Sequence, residues 1–113
     1  MTKQLSIIET AVLDLIPNGS NRKISIKEVG QILDLDERSI YEIINSLRRK
    51  GVPVCAKRNG QPLDRGYYIA TNEAERADGI HSYKSQVSDM SSLIQAIEQA
   101  DLTNWHKNLK RAE

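Results

Sequence analysis

The chain has 113 residues, a formal net charge of +1, 39% hydrophobic residues and one cysteine. This length suffices for one small domain with an extension, and a single cysteine excludes an intramolecular disulfide and a multi-cysteine metal site. No apolar run approaches the roughly 18 residues of a membrane span, and no charged-then-apolar N-terminal segment suggests export. We therefore expect a cytoplasmic protein without a membrane partner.

Positive charge is concentrated in the middle of the chain. Residues 20–68 contain ten Lys or Arg and six Asp or Glu, a net charge of +4, whereas the rest of the chain is net acidic. The near-neutral total predicts no nucleic-acid partner by itself, but a local basic region does attract polyanions. The middle segment is therefore the candidate contact surface.

Two short helices are predicted first. The first helix ends at Pro17-Asn18-Gly19. It is defined by apolar residues at helical spacing, which are Leu5, Ile8, Val12, Leu15 and Ile16. Ser25 and Glu28 form a capping box that opens the second helix. Its predicted inner face consists of Ile26, Val29, Ile32 and Leu33. Residues 23–25 are expected to pair with a later strand.

A third helix is predicted to carry the most functional information. Asp36 is its candidate N-cap, and Gly51 ends it. One apolar stripe is predicted to be buried, and it consists of Ile40, Ile43, Ile44 and Leu47. The opposite face carries Arg38, Glu42, Asn45 and Arg49. Arginine can pair with guanine, asparagine with adenine, and glutamate with cytosine.

A strand pair with a basic loop is predicted next. Residues 52–58 form one strand and residues 67–71 the returning strand, and the loop between them has Asn59-Gly60 and Pro62 as turn residues. The order of three helices followed by this hairpin predicts fold class α+β, mainly α with a small sheet.

The residue pattern of this region is similar to that of a known family. Ile-Ser-x-x-Glu-Val, Ile-Leu-x-Leu and Ser-Ile-x-x-Ile-Ile-x-x-Leu-Arg-x-x-Gly, at residues 24–51, resemble bacterial winged helix-turn-helix domains. The continuation into Arg65-Gly66-Tyr67-Tyr68-Ile69 resembles the N-terminal DNA-binding domain of the biotin operon repressor family. The resemblance covers roughly residues 5–71. It implies a three-helix bundle with a wing, the third helix in the major groove and the wing on phosphates or in the minor groove.

The predicted DNA contacts divide into two groups. The recognition-helix contacts are Arg38, Ser39, Tyr41, Glu42, Asn45, Ser46 and Arg49. The backbone and wing contacts are Arg48, Lys50, Lys57, Arg58, Asn59, Gln61 and Arg65. The second group is mainly cationic, which suits phosphates and supplies affinity more than sequence information. Two simpler explanations stay open: Arg38 and Glu42 as a surface ion pair, and the basic loop as a solvated sheet edge.

A long helix is predicted from residue 72 to about residue 100, with Asn72 and Glu75 as a possible capping box. Apolar residues alternate along it at spacings of three and four, which is typical of a coiled coil; they are Ile80, Tyr83, Val87, Met90, Ile94 and Ile97. The sequence therefore predicts a DNA-binding domain over 1–71 and a dimerisation extension over 72–113. The alternative is a helix folded back on the first helix.

No catalytic motif is recognisable. His81 and His106 have no acidic or cysteine partner at ligand spacing, and the chain has no glycine-rich phosphate loop or nucleophile motif. We expect no enzyme activity, cofactor, metal or small-molecule effector.

Two functions remain open. One is a nucleoid-associated homodimer that binds double-stranded DNA sequence-specifically as a small transcriptional repressor. The other is a protein-interaction adaptor or inhibitor, in replication or a phage–host function, without sequence-specific DNA readout. The near-neutral total charge of +1 slightly favours the second function. The basic wing and the polar helix face favour the first more strongly.

Overall fold

The computed structural model describes residues 3–58 and 60–112. These residues form the elements α1 (Ile7–Leu15), α2 (Ile26–Leu33), α3 (Glu37–Arg49), β1 (Val54–Lys57), β2 (Gly66–Ile69) and α4 (Glu73–Glu98). Short 3-10 turns cover Pro62–Asp64 and Trp105–Asn108. The α+β class is confirmed: a mostly helical chain carries a two-stranded antiparallel sheet and ends in a long helix.

The chain divides into two compact units, Met1–Ile80 and His81–Glu113. The domain boundary predicted from the sequence lies between residues 71 and 72, whereas the division between the two compact units falls inside α4. The first turns of α4 belong to the unit that contains the sheet, and the remainder of α4 belongs to the second unit. No helix in the described parts of the chain is both long and apolar enough to cross a membrane.

Side chains that bond to backbone N–H groups set the helix starts. The predicted capping box at Ser25 and Glu28 is confirmed, and Ser25 Oγ accepts from Glu28 N at 3.1 Å. α1 has a second capping box, in which Ser6 Oγ accepts from Glu9 N at 3.1 Å. The first helix therefore starts at Ile7, after this cap, and Leu5 lies outside it. Asp36 is the N-cap of α3 as predicted.

The core lies where α1 and α2 pack against α3. Ile40 and Leu47 of α3 and Val12 of α1 are fully buried, which confirms the apolar stripe that defined the third helix. Ile43 lies at the edge of this stripe and is only partly buried. The prediction for Ile32 was wrong: this residue is 60% exposed, because at 100° per residue it lies to one side of the stripe that Ile26, Val29 and Leu33 form against the core.

The sheet is a short hairpin with one extra backbone pairing. β1 and β2 are antiparallel, with Cys55 opposite Tyr68. Ile24 pairs with Tyr67 through two backbone hydrogen bonds of 3.0 and 2.8 Å, so the predicted pairing of residues 23–25 with a strand is confirmed. β1 starts at Val54 rather than at residue 52, since Pro53 has no N–H to donate to a ladder.

The start of α4 is fixed by Glu75, but not as predicted. Asn72 Oδ1 accepts from Glu75 N at 2.9 Å, as in a capping box. The reciprocal bond predicted for the box is missing, because the Glu75 carboxylate accepts instead from Thr71 N at 2.8 Å and Ser20 N at 2.6 Å. These backbone donors at Thr71 and Ser20 hold the pKa of Glu75 at about 2. Glu75 thus joins the loop after α1 to the first turn of α4.

Gly79 allows α4 to approach the sheet closely. A Cβ atom at this position would lie 2.4 Å from both Cβ and Sγ of Cys55 and 3.2 Å from the Tyr68 hydroxyl. Cys55 is buried. Gly79 therefore has a packing function, because any larger residue would meet Cys55.

Candidate nucleic-acid interface

The outer face of α3 carries the predicted base-reading residues. α3 rotates by about 100° per residue, so the buried side chains of Ile40, Ile44 and Leu47 fix the direction of the opposite face. Five polar or aromatic residues of α3 are exposed on the outer side, and we call them the α3 outer face: Arg38, Tyr41, Glu42, Asn45 and Arg49. The structure brings these predicted contacts together on one surface.

Two of these residues form the surface ion pair that the sequence left open. Arg38 Nε lies 3.5 Å from Glu42 Oε1, and the two side chains are 88% and 70% exposed. A pair this exposed on one helix is worth only a few tenths of a kcal/mol. Because so little free energy holds it, the pair can be exchanged for contacts with base edges.

Arg48 is directed toward the sheet. Its Nε donates to Val54 O at 3.0 Å, and its Nη1 donates to Asn45 Oδ1 at 3.3 Å. The first bond joins the end of α3 to the start of β1. Arg48 was predicted to contact phosphates, and the structure places it where it positions α3 relative to the hairpin.

Ser46 and Lys50 were also predicted to contact DNA, but both lie against α1. Ser46 Oγ donates to Glu9 Oε2 at 2.5 Å, and Lys50 Nζ donates to Glu9 Oε1 at 2.6 Å. Glu9 is buried. Its pKa is lowered to about 2, mainly by the hydrogen bond from Lys50 and, to a smaller extent, by the one from Ser46. These two residues therefore position α3 and are not part of the outer face.

Glu9 is a positioning residue that the sequence did not reveal. The spacing of Ser6 and Glu9 was a visible sign of a capping box, and the structure contains that box. The spacing of Ser6 and Glu9 did not indicate that the Glu9 carboxylate also accepts hydrogen bonds from Ser46 and Lys50, which are far away in sequence. Through these bonds α1 supports the C-terminal half of the predicted recognition helix.

The first turn of α3 is acidic. Ser39 Oγ donates to Asp36 Oδ1 at 2.5 Å, and this bond lowers the pKa of Asp36. Ser39 was predicted as a DNA contact of the third helix. A phosphate there would meet the ionised Asp36 carboxylate, and like charges repel. The structure therefore does not favour a phosphate contact at Ser39.

The hairpin places exposed cations beside α3. Lys57 and Arg58 at the end of β1 and Gln61 and Arg65 in the loop are exposed, and Arg65 Nε donates to Gly60 O at 2.9 Å. Asn59, predicted at the wing tip, lies outside the described residues.

A groove of about 610 Å³ lies between the hairpin, the start of α2 and Tyr41 of α3, and its lining includes Lys57, Arg58 and Arg65. An exposed aromatic residue and three cations therefore share one concave surface.

Two other kinds of site concern metal-binding residues and the single cysteine. Among residues 3–58 and 60–112, no three His, Cys, Asp or Glu residues are grouped closely enough to hold a metal ion. Burial raises the pKa of the Cys55 thiol, which disfavours the reactive thiolate form.

Comparisons with protein-family models, curated proteins and solved structures found no match for this chain. The surface itself must therefore indicate the function. An α-helix is about 10–12 Å across, which fits a major groove about 12 Å wide. Arginine and asparagine, both present on the α3 outer face, are residue types that can bond to base edges, and the cations of the hairpin are of the type that contacts phosphates.

Proposed function

We propose that this chain is a sequence-specific double-stranded DNA-binding protein of the winged helix-turn-helix type. It acts as a small transcriptional repressor and binds as a homodimer at the cytoplasmic nucleoid. α3 enters the major groove, and the hairpin lies on the backbone or in the minor groove. The observation that carries this proposal is that one polar, exposed face of α3 reaches the cationic hairpin at Tyr41, which lines one groove together with Lys57 and Arg58.

Sequence readout is assigned to the α3 outer face. Arginine can form two hydrogen bonds with guanine, and asparagine can form two with adenine, each pairing being worth about 1–3 kcal/mol of discrimination. Asn45 and Arg49 are both exposed on the C-terminal half of α3, where their side chains can reach neighbouring bases.

Affinity is assigned to the hairpin cations. Lys57, Arg58 and Arg65 are exposed, whereas Arg48 and Lys50 are partly buried. Three phosphate contacts per protomer predict a log–log salt slope of about −2.7 per protomer, or about −5.4 for the proposed dimer, at roughly −0.9 per contact.

Dimer formation is assigned to α4. Val87, Met90, Ile94 and Ile97 are all more than half exposed, at heptad spacing. Covering such residues with a second copy removes apolar surface from water. A two-fold dimer presents two copies of α3 to an inverted repeat. Sedimentation at micromolar concentration is expected to show the dimer, and a clean monomer would contradict this assignment.

The test of DNA readout is the double variant Asn45→Ala/Arg49→Ala. We expect its affinity for a duplex selected by the wild type to fall at least about tenfold, since two base contacts are lost. Asn21→Ala/Arg22→Ala is the matched control, because it removes the same residue types from exposed positions outside α3. Fluorescence anisotropy measures the affinity, and circular dichroism checks that all variants remain folded.

Undiminished affinity in the folded Asn45→Ala/Arg49→Ala variant would contradict the proposal. That outcome would favour the second candidate, a winged-helix adaptor or inhibitor that binds protein. The observation that supports this candidate is the overall net charge of only +1, since proteins that bind DNA through phosphate contacts commonly carry a basic excess.

A further inference from the structure

The apolar residues of α4 differ in how much of their surface is covered. Val87 is 67% exposed, Met90 58%, Ile94 52% and Ile97 73%, and we call these four residues the α4 seam. Ile80, in the first unit, is 38% exposed, and Tyr83 is partly buried. The most exposed residues of the predicted heptad pattern are therefore its last four.

The spacing of the α4 seam specifies a helical partner. The four residues follow one another at intervals of three, four and three, a mean period close to 3.5 residues. Apolar residues with this period stay in register with a second helix that runs alongside. Apart from α4 itself, the only helical segment described in the second unit is the four-residue turn Trp105–Asn108, which is too short for this role.

We propose that the partner is a second copy of α4, packed antiparallel about a two-fold axis at Ser92. This inference rests on the proposed homodimer and adds its orientation and register. In this arrangement Val87 lies level with Ile97 of the partner subunit, and Met90 lies level with Ile94 of the partner subunit. All four seam residues then pair with an apolar residue, and the axis lies at their midpoint.

Charge complementarity supports this register. In an antiparallel pair the residues at heptad position e face each other, as do those at position g, and such flanking residues set orientation. With Val87 and Ile94 at position a and Met90 and Ile97 at position d, Lys84 and Glu98 both occupy position e. Both residues are exposed. The axis at Ser92 brings Lys84 opposite Glu98 of the partner subunit, and this pairing occurs twice. Leu93, which is 58% exposed at position g, meets its own copy near the axis.

A parallel pair of α4 helices would not bring these opposite charges together. A parallel pair has no opposite charges across its e and g positions, because the g positions of α4 are Gly79, Gln86 and Leu93. Lys84 and Glu98 would then each lack an opposite charge on the partner subunit. Asp101 lies beyond the end of α4, where its carboxylate accepts from Asn104 N and Thr103 N, both at 3.0 Å.

An antiparallel register shifted by one heptad is also less favourable. It would place Ile80 level with Ile97 of the partner subunit. Ile80 is only 38% exposed, which is less than any residue of the α4 seam. The shift would also move Lys84 opposite Ser91 and leave Glu98 without an opposite charge. The register about Ser92 therefore combines the most exposed apolar residues with the two ion pairs.

Distances between spin labels in the full chain test this inference. Ser85→Cys, Ser92→Cys and Gln99→Cys are made singly in a Cys55→Ala background. These exposed positions lie seven residues apart; Ser85 and Ser92 are on the outer side of α4, and Gln99 directly follows its last residue, with its N–H still bonded to Gln95 O at 2.9 Å. At 1.5 Å per residue, antiparallel packing about Ser92 offsets the two labels along the axis by about 21 Å at Ser85 and at Gln99, and by almost nothing at Ser92.

The three possible arrangements give different distance patterns. We expect the shortest label-to-label distance at Ser92 and longer, equal distances at the other two positions. Equal distances at all three positions would indicate a parallel pair. Equal distances at Ser85 and Ser92, with a much longer one at Gln99, would indicate the shifted register. Either pattern, or no intermolecular distance, would overturn the inference.

A charge exchange gives an independent check. Lys84→Glu places like charges opposite each other twice in the proposed dimer, and we expect the dimer dissociation constant to rise roughly tenfold. Adding Glu98→Lys restores opposite charges and should restore the dissociation constant. A Lys84→Glu effect that Glu98→Lys does not reverse would contradict the register. Sedimentation equilibrium measures the dimer dissociation constants of both variants without DNA. Failure of the proposed register is therefore distinguishable from failure of DNA binding.

Discussion

Gly79→Ala should destabilise the first unit, although the same change in most helices is stabilising. Alanine is favoured over glycine inside a helix by about 1 kcal/mol. Here the new Cβ would lie 2.4 Å from Cys55 Cβ and Sγ, whereas carbon atoms pack at about 3.5–4.0 Å. The helix and the sheet must therefore separate by about 1 Å or more, and overpacking of this kind costs about 1–3 kcal/mol. The net loss is about 0–2 kcal/mol.

Urea denaturation followed by circular dichroism measures this change. Cys55→Gly removes the opposing Cβ, so Gly79→Ala should cost less, or become stabilising, in the Cys55→Gly background. Ser85→Ala is the control, since Ser85 is exposed on the same helix and meets no such contact. A gain of about 1 kcal/mol for Gly79→Ala in the wild-type background would refute the close approach of α4 to β1.

Two further predictions concern pH and salt. The pKa of Glu9 is lowered from 4.5 to about 2, so its contribution to stability is complete above pH 4.5 and is lost as the pH falls toward 2. The melting temperature of wild type should therefore exceed that of Glu9→Gln at pH 7, and the difference should shrink below pH 4.5; a constant difference down to pH 3 would contradict this role. Lys57→Ala/Arg58→Ala should reduce the salt slope of DNA binding by about 1.8 per protomer and weaken specific and non-specific duplexes alike. An unchanged slope in anisotropy titrations would exclude these two residues from phosphate contact.

Local patterns in the sequence predicted much of the fold. The capping box at Ser25 and Glu28 is confirmed because both partners lie within one helical turn. The burial of Ile40 and Leu47 is confirmed because helical periodicity alone separates the inner face from the outer one. The Glu75 contact with Ser20 could not be predicted, since the two residues are 55 positions apart and no local spacing links them.

The candidate site was predicted less completely than the fold. Arg48, Arg49 and Lys50 form a continuous run of cations in the sequence, and all three were predicted to contact DNA. Successive helical residues point in directions about 100° apart, so the structure separates them: Arg49 is exposed, whereas Lys50 reaches Glu9. Composition indicates that a cation is present, but only the packing of α1 and β1 against α3 shows which cations face outward.

The central claim is that the α3 outer face reads DNA sequence. The most direct measurement is selection of bound duplexes from a random pool at a fixed salt concentration, with wild type and with Asn45→Ala. We predict that wild type enriches an inverted repeat, and that Asn45→Ala loses base preference at one position of each half-site while keeping the others. Failure of wild type to enrich any sequence, or an identical motif with Asn45→Ala, would contradict the claim.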